Sequence, residues 1–168
     1  MFSQDDMQEL LTYEGNGDGV ISIYLDTDSG RQSTEAIKLT AKGLLKEVQP
    51  QHEREAQTIE RYLDLSYDWS KPGLALFCGQ GGSFFRSYPS PVAFRNRIRL
   101  GPRPYVKPLA HFLDHYAHFG VIVVDRVNGR FYEYHLGEPQ SIEEYSGEEV
   151  RKVKRGGGSS AVGRRGGG

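Results

Sequence analysis

An α+β fold is predicted for this chain: an N-terminal mixed sheet with helices packed on it, followed by the first β-hairpin of a second α/β domain. Three observations predict it. Residues 34–48 and 51–67 carry apolar side chains at helical spacing, and they lie between short runs rich in β-branched and aromatic residues. Residues 94–100 alternate strictly between apolar or amide and arginine side chains, the period of a half-buried strand. Asn128-Gly129 separates two strand-like runs, and Asn-Gly is the strongest short hairpin signal because a type I′ turn needs positive φ at both central residues. These give three segments: residues 1–117 as an N-terminal domain, 118–150 as the start of a second domain, and 151–168 as a basic glycine-rich loop.

Ser3 and Asp6 have the spacing of a capping box, and Met7, Leu10 and Leu11 share one face of the short helix that follows. Gly15, Gly17 and Gly19 should end it. The passage from Glu14 to Ser22 looks like a calcium-binding EF-hand loop, but its first ligand position is Glu14 rather than Asp and its twelfth falls on Leu25. A strand, VISIYLDT, follows it instead of a helix, so calcium binding is not expected.

The helix over residues 34–48 is marked by Ile37, Ala41, Leu44, Leu45 and Val48, with Pro50 stopping it; the next uses Ala56, Ile59 and Leu63. Their opposite faces are charged, as in helices that lie on a sheet. After Pro72-Gly73 come the strand LALFC, a turn over residues 79–82, and the strand SFFRSY. Because a strand follows that glycine turn, it reads as a hairpin and not as a dinucleotide site. The alternation of residues 94–100 puts Phe94, Asn96, Ile98 and Leu100 on one face and presents Arg95, Arg97 and Arg99 to solvent on the other. Pro102 and Pro104 break the strand, and Pro108 suits the first turn of a helix through Leu109, Phe112, Leu113 and Tyr116. In the hairpin, the β-branched run Val121 to Val124 suits a strand covered on both faces.

The 168 residues carry 21 basic and 22 acidic side chains, a formal charge of −1 that conceals segregation. Six basic residues and no acidic ones lie between Arg86 and Lys107, and six more with no acidic ones between Arg151 and Arg165. Without those twelve the remainder has 9 basic against 22 acidic residues, so two cationic stretches ride on an acidic body. That pattern points to a polyanionic partner touched at particular places. The single cysteine, Cys78, excludes an internal disulfide and a cysteine-based zinc cage, and its place in LALFC makes it a buried, inert thiol. His111 and His115 are four apart on one helix, but no third ligand is marked out, so no metal and no cofactor are expected. There is no nucleophile elbow and no Walker loop. The N-terminus has neither a signal peptide nor a membrane span, which places the protein in the cytoplasm with no membrane partner. The glycine-rich ending suggests the N-terminal part of a longer protein.

The order FGVIVVDRVNGRFYEYHLG, then a spacer, then Lys154-Arg155-Gly156-Gly157-Gly158-Ser159-Ser160-Ala161 resembles the opening of the central domain of the eukaryotic and archaeal class-1 peptide chain release factor family. That family carries Arg-Gly-Gly-Gln-Ser-Ala in this loop. Within it, the resemblance is to the divergent bacterial branch, itself similar to the ribosome-rescue protein Pelota. In the release factors the loop enters the peptidyl transferase centre, and the resemblance implies the same for Arg155, Gly156 and Gly157. Gly158 stands where the family has its glutamine. The family's codon-reading motifs are also missing, both Thr-Ala-Ser-Asn-Ile-Lys-Ser, due between Gly43 and Gln51, and Tyr-x-Cys-x-x-x-Phe, due between Lys107 and Phe112.

A flexible basic linker has the same composition as the tail. Its position after the hairpin, as in the family, favours RNA contact by Lys154, Arg155, Gly156, Gly157, Gly158, Arg164 and Arg165, with Arg95, Arg97 and Arg99 as a second contact. The resemblance therefore implies a ribosome-associated factor, meeting rRNA and tRNA and with a translational GTPase as a candidate partner. It would act in rescue, stalling response or hibernation without decoding and without a catalytic residue of its own. The competing expectations are a peptidyl-tRNA hydrolase whose glycine loop organises water, and an RNA-binding module unconnected with ribosomes.

Overall fold

The computed structural model describes residues 2–116, 118–124, 128–135 and 138–146. The chain folds as α+β, with elements in the order α1 (Gln4–Thr12), β1 (Val20–Asp26), α2 (Thr34–Leu45), α3 (Glu53–Leu65), β2 (Gly73–Gly79), β3 (Phe84–Ser90), β4 (Arg97–Gly101), α4 (Lys107–Tyr116), β5 (His118–Val124), β6 (Asn128–His135) and β7 (Glu138–Ser146). The first four strands form one sheet in the order β3-β2-β1-β4, and the last three form a second in the order β5-β6-β7. The N-terminal sheet is antiparallel throughout where a mixed one was expected, since β1 runs opposite to both β2 and β4, and β3 opposite to β2.

Local chemistry accounts for the elements. The predicted capping box is formed: Ser3 Oγ accepts from the Asp6 N–H at 3.1 Å while Asp6 Oδ2 accepts from the Ser3 N–H at 2.7 Å. Ser33 caps α2 by accepting from the Ala36 N–H at 3.2 Å. The β2–β3 hairpin closes through a turn at Gln80–Gly82, with Gly81 and Gly82 at φ +64° and +97°. A Cβ on Gly82 would also come within 2.6 Å of Thr58 Oγ1, so both space and conformation call for glycine there.

β1 and β2 occupy the centre of the sheet and are buried along almost their whole length. Both faces of the sheet are covered. Ile21, Ile23, Leu25, Leu74, Leu76 and Cys78 pack with Ala41 and Leu45 of α2 and Ala56, Ile59 and Leu63 of α3. On the other face Tyr24, Ala75, Phe77 and Tyr88 pack with Phe2, with Leu10 of α1 and with Leu109 of α4. This double cover explains why VISIYLD and LALFC read as continuous apolar runs instead of alternating ones.

Cys78 is fully buried, as predicted. Burial, and then the nearby Glu55 carboxylate, push its thiol up to about 12. Its proton is therefore held in the folded chain between an unfolded value of about 8.5 and the folded one, so this group's contribution to stability falls as pH rises through that window. A thiol reagent should label Cys78 far more slowly in native chain than in denaturant. Equal rates would place the thiol outside the core.

The C-terminal region departs from expectation in two ways. The predicted hairpin is the first part of a three-stranded sheet, because Glu138–Ser146, within the spacer that follows the hairpin, pairs with β6. The run covered in prediction is exposed here, with Ile122, Val123 and Val124 at 69%, 55% and 71% of full accessibility. β-branched composition reports the preference for a pleated backbone, and says nothing of what lies above it. Residues 147–168, including every predicted contact from Lys154 to Arg165, lie outside the described residues. No helix among the described residues is long and apolar enough to cross a membrane.

Candidate nucleic-acid interface

The predicted arginine row lies at the edge of the N-terminal sheet, and the chain on either side of it is fastened by buried polar groups. Before β4, the buried Ser90 side chain accepts from the Val92 N–H at 3.1 Å and donates to the Val92 carbonyl at 2.8 Å. Gly73 backs this turn so closely that a Cβ there would meet the Val92 carbonyl oxygen at 2.0 Å. Asn96 Oδ1 then accepts from the Asp26 N–H at 2.7 Å, joining the start of β4 to the end of β1. After β4, the Tyr105 N–H donates to Ser22 Oγ at 2.9 Å and the Tyr24 hydroxyl donates to the Tyr105 carbonyl at 2.5 Å. Ser22 and Tyr24 are fully buried on β1, so the proline-rich segment is stapled to the sheet by its backbone. Burial, with the neighbouring Tyr105, raises the Tyr24 phenol and keeps it protonated for that bond.

These anchors, with α4, border an open cleft of about 390 Å³. Residues 92–95 and Arg97 form one wall, Tyr105 another, and a face of α4 with Lys107, Pro108, His111, Phe112 and His115 the third. Phe94 stands edge-on to Tyr24 at 5.2 Å and to Phe112 at 6.5 Å between ring centroids. The Arg99 guanidinium lies over the Tyr105 ring, 5.7 Å from its centroid.

Ion pairing divides the six cations between Arg86 and Lys107. Arg86 holds Glu9 of α1, its Nε donating to Oε1 at 3.0 Å, and this bond pulls the Glu9 carboxyl below and the Arg86 guanidinium above their ordinary values. Arg103 pairs with Glu14 at 3.0 Å. Arg95, Arg97, Arg99 and Lys107 have no carboxylate partner among the described residues, and three of them, Arg95, Arg97 and Lys107, line the cleft.

The solvent-facing stripe that alternation predicts is present only in part, with Arg95 and Arg99 exposed. Arg95 precedes the strand, Arg97 is half-buried, and Arg97 and Arg99 pair with Tyr24 and Ser22 on the face that α1 and α4 cover. Ile98 packs on the opposite face against the α2–α3 cluster. Phe94, expected on the side of Ile98, belongs to the α1–α4 side because the chain before Arg97 is not in strand conformation. His111 and His115 are exposed with ring centroids 4.0 Å apart, and His115 Nδ1 lies 3.0 Å from the His111 carbonyl. No group of three metal-ligating side chains occurs among the described residues. Sequence reasoning did not assign Phe94, Tyr105, Lys107 or Phe112 to a site. Their signal was aromatic residues interleaved with cations from Phe94 to Lys107, but only α4 folding back closes them into a cleft.

Residues 104–166, from the cleft's rear wall through the second sheet and the basic segment, are the part of the chain that resembles a known family. The family whose model matches that segment is the bacterial archaeo-eukaryotic release factor family 10. Among solved structures, an archaeal protein is 18% identical with a TM-score of 0.43, covering 86% of this chain and 44% of its own. The crystal structure of the archaeal translation termination factor aRF1 is 20% identical with a TM-score of 0.44, covering 85% of this chain and 43% of its own. The chain thus spans less than half the length of either structure. No curated protein matches.

Proposed function

We propose that this chain is the N-terminal part of a cytoplasmic, ribosome-associated factor that acts in rescue, stalling response or hibernation by binding and not by decoding. Residues 1–117 would be its N-terminal domain, 118–150 the start of the central domain and 151–168 the loop directed at the ribosome. The observation that carries this reading is the family match over residues 104–166, a segment in which Gly158 stands at the glutamine position of the release-factor loop. Support comes from the four cations at the sheet edge that have no carboxylate partner among the described residues. The turn between α2 and α3, where the codon motif would lie, has Leu-Lys-Glu-Val-Gln in its place. The partners in this reading are rRNA and tRNA, with a translational GTPase as a further candidate.

Binding through these cations displaces counterions, so affinity for ribosomes should fall steeply with salt. Reversing Arg95 and Arg99 to glutamate should weaken ribosome co-sedimentation and lower the slope of log K against log salt by roughly one per cation removed. Both side chains are exposed, so the fold should survive. An unchanged slope would reduce the row to a solvated face.

A further inference from the structure

We infer that the cleft between β4 and α4 is a mononucleotide site, taking one unstacked base against Phe94 and Tyr105, with the buried Phe112 behind them, and its phosphate against Arg95, Arg97 and Lys107. This rests on the nucleic-acid reading above and narrows it from a charged edge to an open cleft within it. A surface that tracks a duplex backbone needs cations spread along a ridge. Here three cations converge on one concavity of about 390 Å³, at the small end of the ~300–1,000 Å³ of ordinary ligand pockets.

The walls specify the rest of the ligand. A duplex keeps its bases stacked and offers phosphates and groove edges, which give aromatic walls nothing flat to cover. An unstacked base supplies that flat apolar surface, and stacking tolerates any base because each has a π face. An acidic peptide would satisfy the cations but leave the partly exposed Phe94 and Tyr105 rings uncovered. Tyr105 is suited to be a platform because its position does not depend on its side chain: both its backbone N–H and its carbonyl are held from β1, by Ser22 and Tyr24. A wall ordered before binding loses little freedom when the ligand arrives. The same chemistry would accept a residue of single-stranded RNA or a free nucleoside monophosphate.

The test measures fluorescence anisotropy of labelled pentauridylate, and of a fully abasic strand of equal length and charge, with the 168-residue chain at fixed salt. The intact strand should bind roughly ten-fold or more tightly than the abasic one. Tyr105→Ala, and Tyr105→Leu, which keeps apolar volume without a π face, should abolish that preference with an unchanged circular dichroism spectrum. Arg95→Glu with Lys107→Glu should weaken both strands alike. Equal binding of the two strands, both weakened by charge reversal, would overturn the base site while leaving the RNA contact. Displacement of either strand by an acidic peptide, with no preference for the base, would overturn it in favour of a protein partner. If neither strand binds but uridine monophosphate does, with loss in the Tyr105 and charge variants, the site stands with a free nucleotide as ligand and the RNA reading falls.

Discussion

Peptide release from stalled ribosomes should be about 10²-fold faster with a Gly158→Gln variant of the full-length protein than with the natural one, on the scale set by losing a group that positions a reactant. Glycine offers no donor or acceptor beyond its backbone, whereas the glutamine found at this place in the release factors presents both. The proposed docking groups, Arg155, Arg164 and Arg165, are untouched by the change, so ribosome binding should be equal for the two proteins. That separates chemistry from docking. Rapid release by the natural protein would sink the binding-only reading and promote peptidyl-tRNA hydrolysis by a loop that organises water through backbone amides.

The second large effect is on stability. Phe77 is fully buried on β2 and stands edge-on to Tyr24 and Tyr88, at 6.0 Å from each ring centroid. Phe77→Ala removes that ring from between two others, and large aromatic deletions of this kind cost about 3–5 kcal/mol because the surroundings collapse only partly into the space. A domain holds about 5–15 kcal/mol in all, so much of the stability should go. Denaturant unfolding should show a lower midpoint with little change in slope. As a control, Leu39→Ala on the exposed face of α2 should shift stability by no more than about 0.5 kcal/mol; Leu39 is 72% exposed. A Phe77 variant as stable as the control would mean that this face of the sheet is not the packed layer described. The loss should also reach the cleft, because Tyr24, which rests on Phe77, holds the Tyr105 carbonyl.

The α+β class, the capping box at Ser3, the β2–β3 hairpin and the buried thiol were legible from the residues because each depends on short-range chemistry: a cap three residues away, a glycine at positive φ, a run of apolar side chains. The release-factor resemblance was legible for a similar reason, since it rests on the linear order of a hairpin and a glycine loop. What the chain could not declare locally was decided by partners distant in sequence. Arg95, Arg97 and Arg99 alternate as a solvent-facing row would, and Arg95 and Arg99 are exposed, yet Arg97 is half-buried because β4 turns it to the side of the sheet where α1 and α4 pack. Glu138–Ser146 looks too acidic and irregular for a strand until β6 offers it a ladder of hydrogen-bonding groups. The cleft is tertiary in the same sense: its cations and rings were visible between residues 94 and 112. They face one another only because Ser22 and Tyr24, some eighty residues earlier, fasten the Tyr105 backbone and turn α4 back across the sheet edge.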